Sequence, residues 1–167
     1  MELRANALVA LDERTQAIVT VTSPHSEEPR RHVAAHLAAA LAQTGRRVLL
    51  VDADVDGAAD EGESEAHTVP EHLSAVTAEA VRAGDPALLS GAVFLAWLRG
   101  EAEAHDLVIV AGPPLLDVPD GRALAAQADG VLLAVVHART NRDDAIRARA
   151  ILRQAGANLL GAVVVES

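Results

Sequence analysis

Short runs of branched apolar residues alternate with longer mixed segments along this chain. The runs are rich in Val, Leu and Ile and contain almost no polar residue, which is typical of strands that are buried on both faces. A weaker run of the same kind lies at Leu73–Thr77. The other predicted strands are Ala17–Val21, Val48–Val51, Leu107–Val110, Val131–Val136 and Leu159–Val165.

Helices are predicted between these runs. Gly45 and Gly156 follow the first and the last helix, where glycine commonly ends a helix, and Asn141 is a predicted N-cap. The predicted helices are Pro29–Gln43, Ala87–Ala104, Asp120–Ala128 and Asn141–Ala155. This alternation predicts an α/β domain with a doubly wound, mainly parallel sheet and helices on both faces. We expect one domain over residues 1–167, with an acidic mobile loop at residues 55–70.

Composition narrows the classes of partner. The chain has 167 residues, half of them hydrophobic, and a formal net charge of −10. Nucleic acids and anionic membranes need concentrated basic surface, so we expect neither as a direct partner. There is no cysteine and no signal peptide, and no apolar run approaches the ~18 residues of a membrane span. These features predict a cytoplasmic domain without direct membrane insertion.

Residues 17–36 have the layout of a phosphate-binding loop. An apolar strand runs into a short turn, and a helix follows at once, which is the context in which backbone N–H groups hold phosphates at a helix start. A working loop of this kind reads G-x-x-x-x-G-K-[ST]. Here no glycine occurs between Thr22 and His36.

Three segments of the sequence fit one family. They are TSPHSEEPRRH after the first strand, LLVDAD at Leu49–Asp54, and VIVAGPP at Val108–Pro114. With the closing strand–helix–strand tail, they resemble the cytoplasmic ATPase domain of bacterial tyrosine kinases of capsule and exopolysaccharide synthesis. That family is related to chromosome-partitioning and division-site ATPases. The resemblance covers about residues 17–165 and implies a P-loop NTPase-like fold.

The resemblance also aligns individual loop residues with the family's T-S-P-x-P-G-E-G-K-S-T pattern. Glu27 and Pro29 stand at the glycine positions, and Arg30 stands at the lysine position. Arg31 and His32 replace the hydroxyl pair, one of which ligates Mg²⁺ in the family. A carboxylate would repel phosphate, and proline has no N–H to donate. The loop is therefore predicted to be a poor phosphate cradle.

The other two motifs differ in how well they match. Asp52 and Asp54 retain the D-x-D pattern, although Asp56 replaces the arginine expected shortly after them. Ala111 stands where the family has an acidic residue at the end of a strand. The residues of this vestigial nucleotide site are Glu27, Glu28, Arg30, Arg31, Asp52, Asp54 and Ala111.

These substitutions, and the absence of tyrosine for autophosphorylation, lead to the expectation of a catalytically inactive pseudo-kinase. We expect no enzyme activity and no ATP or Mg²⁺ cofactor. The resemblance implies a regulatory or scaffolding role in exopolysaccharide or capsule synthesis or export. It also implies a membrane chain-length regulator, a kinase homologue or a second copy of the chain as partner, with membrane association through that partner. The alternatives are a nucleotide-binding switch that does not hydrolyse, and a partitioning or positioning factor.

Two further hypotheses concern the acidic residues. Glu27 and Glu28 could fill the anion site at the helix start, or they could be ordinary solvated acids of a first turn. The segment from Asp52 to Glu63 fits D-x-[DN]-x-[DN]-G-x₅-E, a calcium-loop spacing. A strand rather than a helix enters that loop, so a solvated acidic loop is the main alternative and no metal is expected. The candidate calcium ligands are Asp52, Asp54, Asp56 and Glu63.

Overall fold

The computed structural model describes residues 16–26, 29–53, 71–76 and 91–166. Within these ranges it contains six strands and four helices. The strands are β1 (Ala17–Thr22), β2 (Val48–Asp52), β3 (Leu73–Val76), β4 (Leu107–Ala111), β5 (Gly130–Val136) and β6 (Leu159–Val165). The helices are α1 (Arg30–Ala42), α2 (Gly91–Ala104), α3 (Asp120–Gln127) and α4 (Arg142–Gln154).

The strands form one sheet in the order β3-β2-β4-β1-β5-β6, and every neighbouring pair is parallel. All residues of β1 and β4 are buried. This is the burial that their continuous apolar runs predicted, since such runs are typical of strands covered on both faces. The predicted α/β class with a parallel sheet is confirmed. The six predicted strands occur within one or two residues of their expected bounds.

Helices cover both faces of the sheet. On one face, Leu37 and Leu41 of α1 join a buried cluster with Ile109 of β4. On the other face, Leu98 of α2 packs with Val108 and Val110 of β4. A third cluster joins α3 and α4 to β5. Each fully buried Leu or Ile contributes roughly 1.5–3 kcal/mol, so the fully buried core that holds this sheet is aliphatic, and Phe94 and Trp97 of α2 pack against it while partly buried.

Helix ends follow the local sequence. Asn141 caps α4, since its side-chain oxygen accepts a hydrogen bond from the Asp143 N–H at 2.9 Å. Gly45 and Gly156 follow α1 and α4 with φ of +86° and +71°, which is the left-handed conformation that glycine adopts without strain. The predicted mobile loop at residues 55–70 lies outside the described residues. The single domain over residues 1–167 stays a prediction.

Candidate functional site

The motifs that are distant in sequence meet at the carboxyl ends of β1, β2 and β4. Ala111, the last residue of β4, lies in register with Val21 on one side and with Asp52 on the other. In open parallel sheets, ligands bind outside the carboxyl ends of the strands. This edge of the sheet is therefore the candidate site, and the loop between β1 and α1 forms part of it.

Arg30 begins α1 and its side chain is buried, with an exposed fraction of 3%. Its Nε–H donates to the Gly112 carbonyl at 2.9 Å, and its Nη1 donates to the Ser26 carbonyl at 2.9 Å. The guanidinium group thus ties the β1–α1 loop to the end of β4. Charge-assisted hydrogen bonds of this kind offset the cost of burying the cation.

Arg31, the next residue, pairs with Asp52 at the end of β2. The Arg31 Nε and Asp52 Oδ2 atoms are 3.0 Å apart, and both side chains are partly exposed. The distance makes this an ion pair, although the Nε–H is not aligned with the oxygen well enough for a hydrogen bond. A cation and a carboxylate therefore lie side by side at the carboxyl edge of the sheet.

Small residues let the loop approach the end of β4 closely. The Gly112 N–H donates to the Val21 carbonyl at 2.9 Å, and Thr22 Oγ1 donates to the Pro113 carbonyl at 2.8 Å. A Cβ atom added to Gly112 would lie 2.8 Å from Thr20 Cγ2. Ala111 is buried with an exposed fraction of 2%, between its two neighbouring strands.

A second polar group lies beside the loop. His25 Nδ1 is 2.8 Å from Asp117 Oδ1, and His25 Nε2 is 3.3 Å from Asp144 Oδ2. The Ser26 N–H donates to Asp117 Oδ2 at 2.8 Å. These residues line a cleft of about 520 Å³ together with residues of the β5–α4 connection, including Arg139 and Asn141.

The contacts shift the titration of both partners. The hydrogen bond to Asp117 raises the pKa of His25, and it outweighs the lowering by partial burial; Asp144 adds to the increase. Burial pushes the pKa of Asp117 upward, but hydrogen bonds from His25 and from Ser26 outweigh it and hold that pKa below its usual range. Carboxylates facing both ring nitrogens favour the doubly protonated imidazolium.

The structure brings together four of the predicted site residues: Arg30, Arg31, Asp52 and Ala111. The others lie outside the described residues: Glu27, Glu28, Asp54, Asp56 and Glu63. The calcium-loop and anion-site hypotheses accordingly stay predictions. Over the described part of the chain, no cluster of His, Asp or Glu side chains is arranged to hold a metal ion.

Sequence reasoning missed the group of His25, Asp117 and Asp144. His25 and Asp117 are separated by 92 positions along the chain, and both lie in turns without periodicity. Sequence position does indicate that the loops after β1 and β4 are close, once a parallel sheet is predicted. It does not indicate which side chains of those loops meet.

The chain is similar to bacterial tyrosine kinases. It is 29% identical over 190 residues to tyrosine-protein kinase YwqD of Bacillus subtilis, covering 97% of this chain and 77% of that protein. The kinase domain of Escherichia coli tyrosine kinase ETK matches the fold with a TM-score of 0.80 at 24% identity, covering 99% and 74% of the two chains. An ATP complex of a McdA variant from Cyanothece matches with a TM-score of 0.66 at 17% identity, covering 90% and 70%.

Two predictions are corrected by these similarities. The prediction that the chain is not an enzyme is wrong, since its relatives are named tyrosine-protein kinases, which are enzymes. Altered loop residues do not by themselves demonstrate lost activity. The prediction that ATP and Mg²⁺ do not bind is also wrong, because nucleotide binding is the expected behaviour of the family and structural neighbours include complexes with ATP and ADP.

Within the described ranges, no helix combines the length and the apolar character needed to cross a bilayer.

The family is shown by a match over most of the chain. The family model for the CobQ/CobB/MinD/ParA nucleotide binding domain matches residues 19–166, from β1 to the residue after β6. The relatives of this chain and its six-stranded parallel sheet agree with that match. The chain belongs to the CobQ/CobB/MinD/ParA nucleotide-binding domain family, and its relatives are bacterial tyrosine kinases.

Proposed function

We propose that this domain binds a nucleoside phosphate with Mg²⁺ at the carboxyl edge of its sheet and acts as a nucleotide-responsive partner in a bacterial tyrosine-kinase system. The system proposed is that of exopolysaccharide or capsule synthesis or export. The observation that supports the proposal is the pair of Arg31 and Asp52 beside the β1–α1 loop. This pair offers both charges that a metal-bound phosphate needs.

The two residues fit the two parts of the ligand. The planar guanidinium of Arg31 presents donors that match phosphate oxygens, and arginine keeps its charge at any physiological pH. The carboxylate of Asp52 is the oxygen ligand that Mg²⁺ prefers. When bound, a nucleoside triphosphate supplies the phosphoryl group for transfer, and Mg²⁺ neutralises its charge. Without the ligand, Arg31 and Asp52 neutralise one another across 3.0 Å.

The cleft beside the loop offers room for the rest of a nucleotide. Its volume of about 520 Å³ lies within the ~300–1,000 Å³ of small-molecule sites. It reaches the loop through His25 and Ser26, and it extends to the start of α4. Arg139, Thr140 and Asn141 line it with polar groups. The cleft therefore supports a site that extends from the loop towards β5.

Arg30 has a different role in this proposal. Its guanidinium is hydrogen-bonded to two carbonyl groups inside the protein, so it shapes the loop. Arg31 is partly exposed, with 20% of its side chain accessible. The cation offered to phosphate is accordingly Arg31, one residue after the position of the family's lysine.

Titration with a fluorescent ADP analogue in the presence of Mg²⁺ tests the proposal. We expect saturable binding that Arg31→Ala weakens by about tenfold, the loss of one charge-assisted contact. Arg47→Ala is the matched control, because Arg47 lies just before β2, is exposed, and pairs with Asp106 just before β4, at the opposite edge of the sheet. Absence of saturable binding by the wild-type chain at millimolar ligand would refute the proposal, as would equal effects of the two substitutions.

The proposed partner is a membrane-embedded chain-length regulator of polysaccharide synthesis. Support comes from the tyrosine-kinase relatives and from the resemblance to the kinases of that system. Co-purification of the domain with a membrane chain-length regulator from the same organism, with and without ADP and Mg²⁺, is the direct test. We expect the complex to depend on nucleotide. An equal yield in both conditions would contradict a nucleotide-responsive role.

A further inference from the structure

Both carboxylate oxygens of Asp117 contact the β1–α1 loop. Asp117 Oδ1 lies 2.8 Å from His25 Nδ1, and Asp117 Oδ2 accepts the Ser26 N–H at 2.8 Å. Asp117 itself comes from the turn between β4 and α3. Backbone N–H groups in a loop that leads into a helix are the donors that bind anions in this type of fold. The Asp117 carboxylate therefore occupies one backbone N–H donor of this loop, that of Ser26.

His25 connects this carboxylate to a third segment. Its Nε2 lies 3.3 Å from Asp144 Oδ2 in the first turn of α4. Arg147, one turn later, lies 3.6 Å from the other oxygen of Asp144, and Arg139 lines the same cleft. The imidazole thus joins the loop after β1, the turn after β4 and the start of α4 across the mouth of the cleft.

We propose that His25, Asp117 and Asp144 form an internal latch in which the Asp117 carboxylate competes with the phosphate of the nucleotide for the β1–α1 loop. The inference rests on the nucleotide binding proposed above. A backbone N–H donates well to one acceptor at a time, so the Ser26 amide cannot fully serve both anions. Two negative groups at one donor also repel each other, so the phosphate enters as Asp117 leaves.

The latch is built to open at low cost. About 35% of the Asp117 side chain and 40% of the His25 side chain are exposed, so both can turn into solvent and regain hydration there. The elements behind them stay fixed, because Thr22 and Arg30 tie the loop to the end of β4 through separate hydrogen bonds. Release of the latch therefore requires movement of side chains and not unfolding of the sheet edge.

Binding of ADP with Mg²⁺ to latch variants tests the inference. Asp117→Asn keeps the shape but removes the charge, and we expect it to lower the Kd for ADP by about tenfold. His25→Gln removes one of the two contacts of Asp117 and should lower the Kd by a smaller factor. Asp143→Asn is the charge control, since it removes one negative charge next to Asp144 from an exposed position in the same first turn.

A second measurement follows the latch without nucleotide. The Ser26 amide hydrogen should exchange faster in Asp117→Asn than in the wild type and in Asp143→Asn. Thermal melts of each variant report whether it is folded, and His25→Gln replaces Asp117→Asn if the latter does not fold.

The outcomes separate the two proposals. Tighter ADP binding in the latch variants and unchanged binding in Asp143→Asn support the latch. Wild-type binding with an equal or higher Kd in Asp117→Asn overturns the latch alone. Absence of ADP binding in every variant overturns the proposed function and the latch with it.

Discussion

Replacing Gly112 by alanine tests how closely the residue after β4 packs against β1 and α3. The new Cβ would lie 2.8 Å from Thr20 Cγ2 and 3.3 Å from Leu124 Cδ2. Carbon atoms in favourable contact are ~3.5–4.0 Å apart, so the methyl group of Thr20 would have to move by roughly 0.7 Å or more. Thr20 is fully buried in β1 and is β-branched, which leaves it little freedom to rotate.

Overpacking of this kind costs about 1–3 kcal/mol of unfolding free energy. For a chain of this size, 1 kcal/mol lowers Tm by roughly 2–4 °C, so Gly112→Ala should lower Tm by roughly 2–12 °C. Urea titration gives the free energy directly. Gly100→Ala is the matched control, because nothing lies within 4 Å of its added Cβ and alanine favours the helix by up to about 1 kcal/mol.

A double substitution identifies the cause. Thr20→Ser removes Cγ2, the atom that the new methyl group would strike, and costs about 1 kcal/mol on its own through the lost apolar group. In the Thr20→Ser, Gly112→Ala protein the two effects should fail to add, with a favourable coupling of about 1–2 kcal/mol. Simple additivity, or a Gly112→Ala protein as stable as the wild type, would refute the packing argument.

Three other predictions concern stability. Arg30→Met leaves the Gly112 and Ser26 carbonyl groups without their buried donor and should lower the free energy of unfolding by about 2–3 kcal/mol in urea titration. Contacts with Asp117 and Asp144 raise the pKa of His25 in the folded protein. The stabilisation that these contacts give is therefore complete below pH 6.5, the ordinary pKa of histidine, and is lost as pH rises through the higher pKa of the folded state. Tm should fall across that pH range in the wild type and fall less in His25→Gln. Leu41→Ala, at a fully buried position, should cost about 2–5 kcal/mol by the same titration, against less than about 0.5 kcal/mol for Val164→Ala, where 60% of the side chain is exposed.

The sheet could be predicted from sequence because each of its strands is marked by the local run of residues that forms it. Strands such as β4, from Leu107 to Ala111, are buried on both faces, so nearly every position must be apolar and the run is visible without alternation. Gly45 and Gly156 mark helix ends for an equally local reason, since both have positive φ. Local signatures of this kind need no knowledge of the partners across the fold.

The site could be predicted only in part, because its contacts depend on tertiary neighbours. Arg30 looks like a solvated residue at a helix start, yet the Gly112 and Ser26 carbonyls satisfy its guanidinium inside the protein. Comparison of Arg30 with the family's lysine therefore located the position but not its role. The contact of His25 with Asp117 depends on two turns whose sequences carry no periodic pattern.

The error about nucleotide binding has the same physical origin. A motif compares each loop residue only with the residue type of the family pattern. Arg30 and Arg31 both differ from that pattern, so both indicate a loss of nucleotide binding. In the structure the two arginines have different surroundings: Arg30 holds the loop to β4, and Arg31 lies beside the Asp52 carboxylate. A cation and an acid therefore remain at the sheet edge where the family binds nucleotide, although the cation comes from the next residue. An ion pair that is partly exposed contributes little to stability, so Arg31 and Asp52 can separate for a charged ligand at a small cost in folding free energy, as the proposed function requires.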